Sequence, residues 1–169
     1  MRRRTTVLLS LLVATAVVTG LSIATASASV GAAKAPACAG KTKKKAIAAI
    51  KKTWDIFLNG TTGRALEERS AVVEGAEDPV LFKIFTDTFA ANAEVAATTT
   101  AQVNKVKCKG KKAADVAYDL VLAGTVSTGL APPGEAVIVD GQWKVSTGTV
   151  CDLVSLANPA VLESGPCAV

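Results

Sequence analysis

The chain has 169 residues, of which 19 are basic, 14 are acidic, none is histidine and half are hydrophobic. The absence of histidine excludes the commonest general base, the triads that depend on it and most zinc-dependent catalysis. The length is sufficient for one domain with a hydrophobic core.

The N-terminal segment, residues 1–28, has the pattern of a secretory signal peptide. Three arginines follow Met1, an apolar run occupies residues 7–23, and small residues suited to cleavage lie at 24–28. A retained membrane anchor is the disfavoured alternative, because the apolar run is only marginally long enough to span a bilayer. We therefore expect a secreted protein, with 16 basic and 14 acidic residues left after cleavage and a net charge of +2.

All four cysteines lie beyond the predicted signal peptide. An even number of cysteines in an exported chain favours two disulfides over free thiols, although four cysteines allow three pairings. Their spacing matches no zinc-site pattern, so we expect no metal site and no cofactor. The four are Cys38, Cys108, Cys151 and Cys167.

Residues 29–41 are rich in alanine, serine, glycine and proline, which is typical of a flexible lead-in. A helix is predicted next, with Thr42 in position to cap it and Gly60 in position to end it. We expect this helix to pack its aromatic residues against a sheet. Its apolar positions recur at helical spacing: Ile47, Ile50, Trp54, Phe57 and Leu58.

Two further helices are predicted before the strands. A short acidic one lies within residues 61–77, and Asp78-Pro79 is a clear start for another. The third helix has the broadest apolar stripe, so we expect it to be the most buried. That stripe comprises Val80, Leu81, Ile84, Phe85, Thr88 and Phe89.

After Ala93 the pattern changes to that of strands. Apolar and polar residues alternate from Val95 to Val103, and a lysine-rich turn follows at residues 109–112. The next strand is predicted at residues 115–123, and residues 124–133 are predicted to form a loop.

A hairpin is predicted around Asp140-Gly141, one of the strongest local hairpin signals. A two-residue loop pairs Val139 with Gln142 and places the core side chains on one face. Residues 151–156 are predicted as either a strand end or a short helix. The predicted core face of the hairpin consists of Ala136, Ile138, Trp143 and Val145.

Helices followed by a run of strands predict an α+β domain at residues 42–156. We expect N-terminal helices on one face of a curved antiparallel sheet of about four strands. Residues 157–169 contain proline and glycine and are predicted to form a C-terminal tail.

Several motifs in this region resemble those of a known group of proteins. They are Trp54-x-x-Phe57, the strand at residues 114–124, and Asp140-Gly141-x-Trp143 followed by a cysteine. The chain resembles small secreted actinobacterial proteins, similar to the C-terminal domain of the mycobacterial low-molecular-weight secreted antigen. The resemblance covers most of residues 42–156 and implies a cone-shaped α+β fold, cystatin-like or nuclear-transport-factor-2-like, with a pocket between helix and sheet.

The resemblance also bears on the cysteines. It implies a bond between Cys151 and Cys167 that ties down the tail, and we then expect Cys38 to pair with Cys108. The second bond would join two groups of lysines into one lysine cluster. An anionic cell-envelope polymer or lipid headgroup could bind it, although we favour the simpler interpretation that it solvates a mobile end and a strand edge. The lysine cluster consists of Lys41, Lys43, Lys44, Lys45, Lys105, Lys107, Lys109, Lys111 and Lys112.

We expect a secreted, non-catalytic binding or interaction module of the cell envelope or extracellular space. An apolar small ligand in the cone is one candidate partner, and binding of nucleic acid is not expected. Formation of a homodimer is a further possibility, because related folds often pair through their sheets. The residues expected to line the core or pocket are Trp54, Phe57, Phe85, Phe89, Tyr118 and Trp143.

The alternative is a pocket enzyme of the isomerase, dehydratase or cyclase type that uses a buried carboxylate. Its candidate residues are Asp55, Tyr118 and Asp119. Tyr118 and Asp119 are adjacent on a predicted strand, so their side chains face opposite sides of the sheet. We therefore expect no catalytic residue.

Overall fold

The computed structural model describes residues 34–163 and 165–168. The predicted signal peptide and the first residues of the predicted lead-in lie outside the described residues. Within the described part, five α-helices and five strands form an α+β domain, as predicted. The helices are α1 (Lys43–Leu58), α2 (Leu66–Ser70), α3 (Pro79–Ala91), α4 (Ala93–Thr98) and α5 (Thr147–Ala157); the strands are β1 (Thr100–Cys108), β2 (Ala113–Leu122), β3 (Thr125–Ser127), β4 (Gly134–Val139) and β5 (Gln142–Val145).

The strands form one open antiparallel sheet in the order β1-β2-β4-β5, and the short β3 also pairs with β2. The outer edge of β5 is partly covered by the segment before α3. There the Val145 N–H donates to the Val72 carbonyl, and the Glu74 N–H donates to the Val145 carbonyl, both at 2.8 Å. These bonds occupy backbone groups that an edge strand would otherwise leave unpaired.

The hairpin at Asp140-Gly141 is confirmed in its register. Val139 pairs with Gln142, and Ile138 pairs with Trp143. Both turn residues have positive φ, as a type I′ turn requires. The predicted inner face is also correct, because three of its four residues are buried and Ile138 is half-buried.

The first helix forms as predicted and contributes more buried residues than any other helix of the described chain. Trp54 and Phe57 are fully buried, and the Thr53 hydroxyl donates to the Trp143 carbonyl at 3.2 Å. The Thr42 hydroxyl does not cap the helix, since it donates instead to the carbonyls of Ala37 and Ala39. The helix therefore depends on packing against the sheet more than on its cap.

The start of α3 is predicted correctly, but its burial is not. The Asp78 carboxylate accepts a 2.7 Å hydrogen bond from the Val80 N–H, and Pro79 occupies the first turn. Only Leu81 and Phe85 of this helix are buried, whereas Val80 is 51% exposed. The prediction that α3 is the most buried helix is wrong, because part of its apolar stripe faces a cavity instead of the core.

The strand predicted from Val95 is also wrong over its first part. Residues 93–98 form α4, and β1 begins only at Thr100. The alternation arose from alanines and threonines, and alanine and glutamate favour helix over strand. The Thr99 hydroxyl then donates to the Val95 carbonyl at 2.7 Å and helps to end the helix.

Two smaller differences lie further along the chain. The predicted loop at 124–133 contains the short strand β3, and of the two interpretations of residues 151–156 the helical one is correct. Helix α5 begins after Ser146, whose hydroxyl accepts from the Thr149 N–H at 3.3 Å. In the part of the chain that the structure describes, no helix has the length and hydrophobicity needed to cross a membrane.

Candidate functional site

A pocket of about 300 Å³ is lined by helices α1, α3, α4 and α5 and by strand β2; we call it the apolar pocket. Phe57 and Leu58 come from the last turn of α1, and Leu120 and Leu122 from the inner face of β2. The buried ends of α1 and β2 therefore supply part of the wall, and α3 to α5 supply most of the rest.

Three phenylalanines form one side of the apolar pocket. The rings of Phe57 and Phe85 are stacked with centroids 5.9 Å apart, and the Phe89 ring lies 4.4 Å from Phe85. All three were expected to line the core or pocket, and all three line it. The other aromatic residues expected there, Trp54, Tyr118 and Trp143, are buried in the core and do not line the pocket.

The rim of the apolar pocket carries apolar side chains that water reaches. Val95 is 53% exposed, Leu130 46% and Leu156 47%, and all three line the pocket. Large exposed apolar residues are usually scattered singly, whereas these three are grouped around one concave site.

The polar residues of the apolar pocket are few and largely committed to backbone partners. The Asn92 side-chain amide donates to the Thr88 carbonyl at 2.8 Å, and the Thr99 hydroxyl donates to the Val95 carbonyl. None of the side chains that line this pocket is titratable. The pocket can therefore hold apolar material, but its own walls supply no general acid or base.

The sequence missed two walls of this pocket. Residues 95–99 were assigned to a strand, and the stretch of α5 that holds Leu153, Val154 and Leu156 was left between two interpretations. The helical spacing of these α5 residues was the signal that could have identified the second wall. Leu130 lies in a predicted loop and carried no such signal.

A second cavity, of about 270 Å³, adjoins the first; we call it the arginine cavity. Arg64 and Arg69 line it, and Phe89 and Ala96 line both cavities. Arg69 is buried, with 4% of its surface exposed, and its Nε donates to the Phe57 carbonyl at 2.9 Å. Its guanidinium carbon lies 4.3 Å from the centroid of the Phe89 ring, an arrangement that favours a cation–π interaction.

The two arginines differ in their electrostatic surroundings. Arg64 forms ion pairs with Asp55 at 3.5 Å and with Glu68 at 3.4 Å. Burial lowers the pKa of Arg69, and the positive charge of Arg64 lowers it further. The buried arginine is thus the one with the less favourable environment for a charge.

Residues 43–161 match the family model described as low molecular weight antigen MTB12, C-terminal domain. The chain belongs to this family. No curated protein and no solved structure matches the chain significantly. The resemblance drawn from the sequence is therefore correct at the level of the family, and the α+β architecture of this MTB12-family domain is compatible with a cone-shaped fold.

Two disulfides connect this MTB12-family domain to the segments on either side of the matched range. Cys38 is bonded to Cys108, and Cys151 is bonded to Cys167. Both pairs are those that were expected once the resemblance was considered. Each bond joins a cysteine within residues 43–161 to one outside them, and so ties both ends of the described chain to the domain.

The first of these bonds links the two segments of the chain that carry the lysine cluster. Lys43, Lys44 and Lys45 form the first turn of α1, which contains no acidic residue. Lys109 is not free, because its ammonium lies 3.1 Å from Glu135 and 3.4 Å from Asp115. Hydrogen bonds to Glu135 and Asp115 raise its pKa, and the charges of the same two carboxylates add to the effect.

The candidate catalytic residues lie apart from the apolar pocket of this MTB12-family domain. Asp55 is half-exposed and paired with Arg64, while Asp119 accepts a 2.8 Å hydrogen bond from the Asn104 amide. Tyr118 is buried on the inner face of β2, opposite to the face that carries Asp119, and its hydroxyl has no hydrogen-bond partner among the described residues. Within the described residues, no group of three or more histidine, cysteine, aspartate or glutamate side chains could hold a metal ion.

Proposed function

We propose that this chain is an exported, non-catalytic binding protein of the cell envelope or extracellular space that holds an apolar small molecule in the apolar pocket. One observation carries the proposal: three half-exposed apolar residues surround a cavity walled by phenylalanine and leucine. Concave, mostly apolar cavities of this kind are the usual sites of small-molecule binding in proteins.

The energetics of burial support an alkyl or similarly apolar ligand. Each methylene group transferred from water into such a site contributes about 0.8 kcal/mol. The same ligand would also remove Val95, Leu130 and Leu156 from water, which adds to the favourable free energy. A polar ligand would gain little, because Asn92 and Thr99 already donate to backbone carbonyls.

The chemistry of the walls supports binding over catalysis. An isomerase, dehydratase or cyclase would need a positioned acid or base in contact with its substrate. The walls of the apolar pocket contain no titratable side chain, and the two candidate carboxylates, Asp55 and Asp119, are engaged with Arg64 and Asn104. A pocket enzyme remains the alternative that an activity screen would have to reveal.

Export is a separate part of the proposal. The signal-peptide pattern, the two disulfides and the antigen family all fit an extracellular protein. We expect an actinobacterial host to release a protein that begins at residue 29, which N-terminal sequencing of the culture medium would establish. Retention of the intact chain in the membrane would contradict this.

Native mass spectrometry of the secreted, non-reduced protein tests the binding itself. We expect an added mass that leaves on denaturation, or saturable binding of decanol by calorimetry if the purified protein is empty. Decanol is a suitable probe because it is apolar over most of its length and carries no charge. Absence of both results would overturn the proposal.

A matched pair of variants locates the binding site. Leu130→Asp places a charge at the pocket rim, whereas Val126→Asp places one on a residue outside the pocket that is almost equally exposed, at 47% against 46%. We expect the first variant to weaken decanol binding by about tenfold or more and the second to change it by less than about twofold. Equal effects would place the ligand elsewhere.

A further inference from the structure

Arg69 is a buried cation with an unused hydrogen-bond donor. Its Nε is bonded to the Phe57 carbonyl, but its Nη2 is buried and has no partner among the residues that the structure describes. A buried donor left unsatisfied is costly, and a buried charge without a partner is more so. An arginine in this state is therefore suited to a ligand that supplies an acceptor.

The surroundings of Arg69 offer only partial negative charge. The Phe57 carbonyl lies at the C-terminal end of α1, where the helix dipole is negative, and the Phe89 ring presents its face to the guanidinium. No carboxylate of the described residues lies within 4.0 Å of Arg69, because Asp55 and Glu68 both pair with Arg64. The arginine cavity therefore retains one uncompensated positive charge.

The position of this charge relates it to the apolar pocket. Phe89 and Ala96 line both cavities, so the two lie on either side of these residues. A single molecule with a polar head and an apolar tail could occupy both, with rotation of the Phe89 side chain opening the passage. A purely apolar ligand would leave Arg69 as it is.

We propose that the ligand of the apolar pocket is a carboxylate amphiphile, with its hydrocarbon chain in that pocket and its carboxylate bound by Arg69 in the arginine cavity. The inference rests on the proposed function and names its ligand class. A guanidinium binds a carboxylate through two parallel hydrogen bonds, and one free cation matches the single charge of a carboxylate. A phosphate monoester carries a larger charge and fits this balance less well.

Calorimetry on the unaltered, disulfide-bonded protein tests the head group with three probes of equal chain length. We expect decanoate to bind at least about tenfold more tightly than decanol, and decyl phosphate to bind less tightly than decanoate. Equal affinity of decanoate and decanol would overturn this inference while leaving the proposed function intact. Tighter binding of decyl phosphate would overturn the carboxylate assignment, and failure of all three probes to bind would overturn both proposals.

Two variants test whether Arg69 causes the preference for decanoate over decanol. Arg69→Met should remove the advantage of decanoate over decanol. Lys83→Met is the matched control, because it removes one exposed positive charge from α3, and should leave the preference unchanged. A preference that survives Arg69→Met would overturn the inference.

A measurement on the unaltered protein covers the case in which Arg69→Met fails to fold. The bound carboxylate can be followed by nuclear magnetic resonance of decanoate labelled at its carboxyl carbon. A partner cation favours the ionised form, so we expect bound decanoate to stay ionised to lower pH than free decanoate. An unchanged or raised pKa of bound decanoate would overturn the inference, and a merely structural role of Arg69 would not produce the decrease.

Discussion

Gly134 lies where three side chains of the core meet. A Cβ at this position would lie 2.8 Å from the Thr149 methyl carbon, 2.9 Å from Trp54 and 3.2 Å from Tyr118. Glycine is required here by the close approach of β4 to the core, and not by the backbone angle. The first residue of β4 thus allows Trp54 and α5 to approach the sheet.

Gly134→Ala should therefore destabilise the domain. Overpacking of a well-packed core costs about 1–3 kcal/mol, because the neighbours must move. Gly148 is the matched control, since a Cβ there meets nothing within 4 Å and the residue lies in α5. We expect Gly148→Ala to be neutral or to stabilise by up to about 1 kcal/mol. Urea unfolding without reductant measures both, and equal changes would contradict the steric argument.

Tyr118 is the single tyrosine of the chain, so its ionisation can be followed directly by ultraviolet absorbance. Burial raises its pKa, and the negative charge of Asp152 raises it further. We expect the native protein to show no tyrosine ionisation at pH about 10, whereas the denatured chain ionises there. Ionisation of the native protein at the ordinary pH would show that the hydroxyl reaches water.

The higher pKa of Tyr118 in the native protein than in the unfolded chain determines how the stability changes with pH. The unfolded chain releases the tyrosine proton first, so this contribution to stability is complete below pH about 10 and decreases as the pH rises further. Tyr118→Phe should remove that decrease, because phenylalanine cannot ionise. The variant should also be no less stable at neutral pH, since the buried hydroxyl of Tyr118 has no partner among the described residues.

At the scale of elements, the two disulfides constrain segments of very different length. Cys38 and Cys108 are separated by 70 residues, and Cys151 and Cys167 by 16. The chain-entropy estimate assigns about 4 kcal/mol to the first closure and about 3 kcal/mol to the second. The longer closure also fixes the lead-in beside Trp143, whose indole N–H donates to the Pro36 carbonyl at 3.0 Å.

Paired serine substitutions test whether the longer closure stabilises the domain more than the shorter one. Replacing Cys38 and Cys108 together should lower the free energy of unfolding by about 1 kcal/mol more than replacing Cys151 and Cys167 together. The double variants avoid free thiols, and denaturant unfolding of each measures the loss. A larger loss for the shorter closure would mean that docking of the C-terminal segment contributes more than chain entropy.

Elements whose turns or ends are specified by particular neighbouring residues were predictable from the sequence. The turn at Asp140-Gly141 fixed the register of β4 and β5, and Asp78-Pro79 fixed the start of α3. Local pattern was insufficient for α4, where small residues alternate as they would in a strand. That helix forms a wall of the apolar pocket. The family resemblance implied a pocket, and the sequence named three phenylalanines of the core or pocket lining, but neither gave the outline of the pocket.

The arginine cavity could not be predicted from sequence patterns either, but for a different reason. Arg69 follows two glutamates in a short acidic segment, where a solvated side chain is the ordinary expectation. Its burial depends on contacts with Phe57 and Phe89, which lie 12 and 20 positions away in the chain. Such contacts are set by the tertiary fold and leave no periodic signal.

At the scale of the whole molecule, the charge distribution is less one-sided than the full sequence indicates. Three of the arginines behind the formal charge of +5 belong to the predicted signal peptide. The lysine cluster keeps Lys43, Lys44 and Lys45 in the first turn of α1, where cations oppose the helix dipole, but Lys109 is paired with two carboxylates. The structure therefore neutralises one lysine of the cluster.

We expect the mature protein to bind vesicles containing phosphatidylglycerol only at low ionic strength and to dissociate at about 0.15 M salt, where exposed charges are largely screened. Replacing Lys43, Lys44 and Lys45 with glutamine should reduce the low-salt binding. Replacing Lys51, Lys52 and Lys83, which are exposed but outside the lysine cluster, changes the net charge equally and should reduce it less. Sedimentation with vesicles measures both. Binding that does not weaken with salt, or no binding at low ionic strength, would exclude the lysine cluster as a patch for anionic surfaces, because attraction between exposed charges is screened by salt.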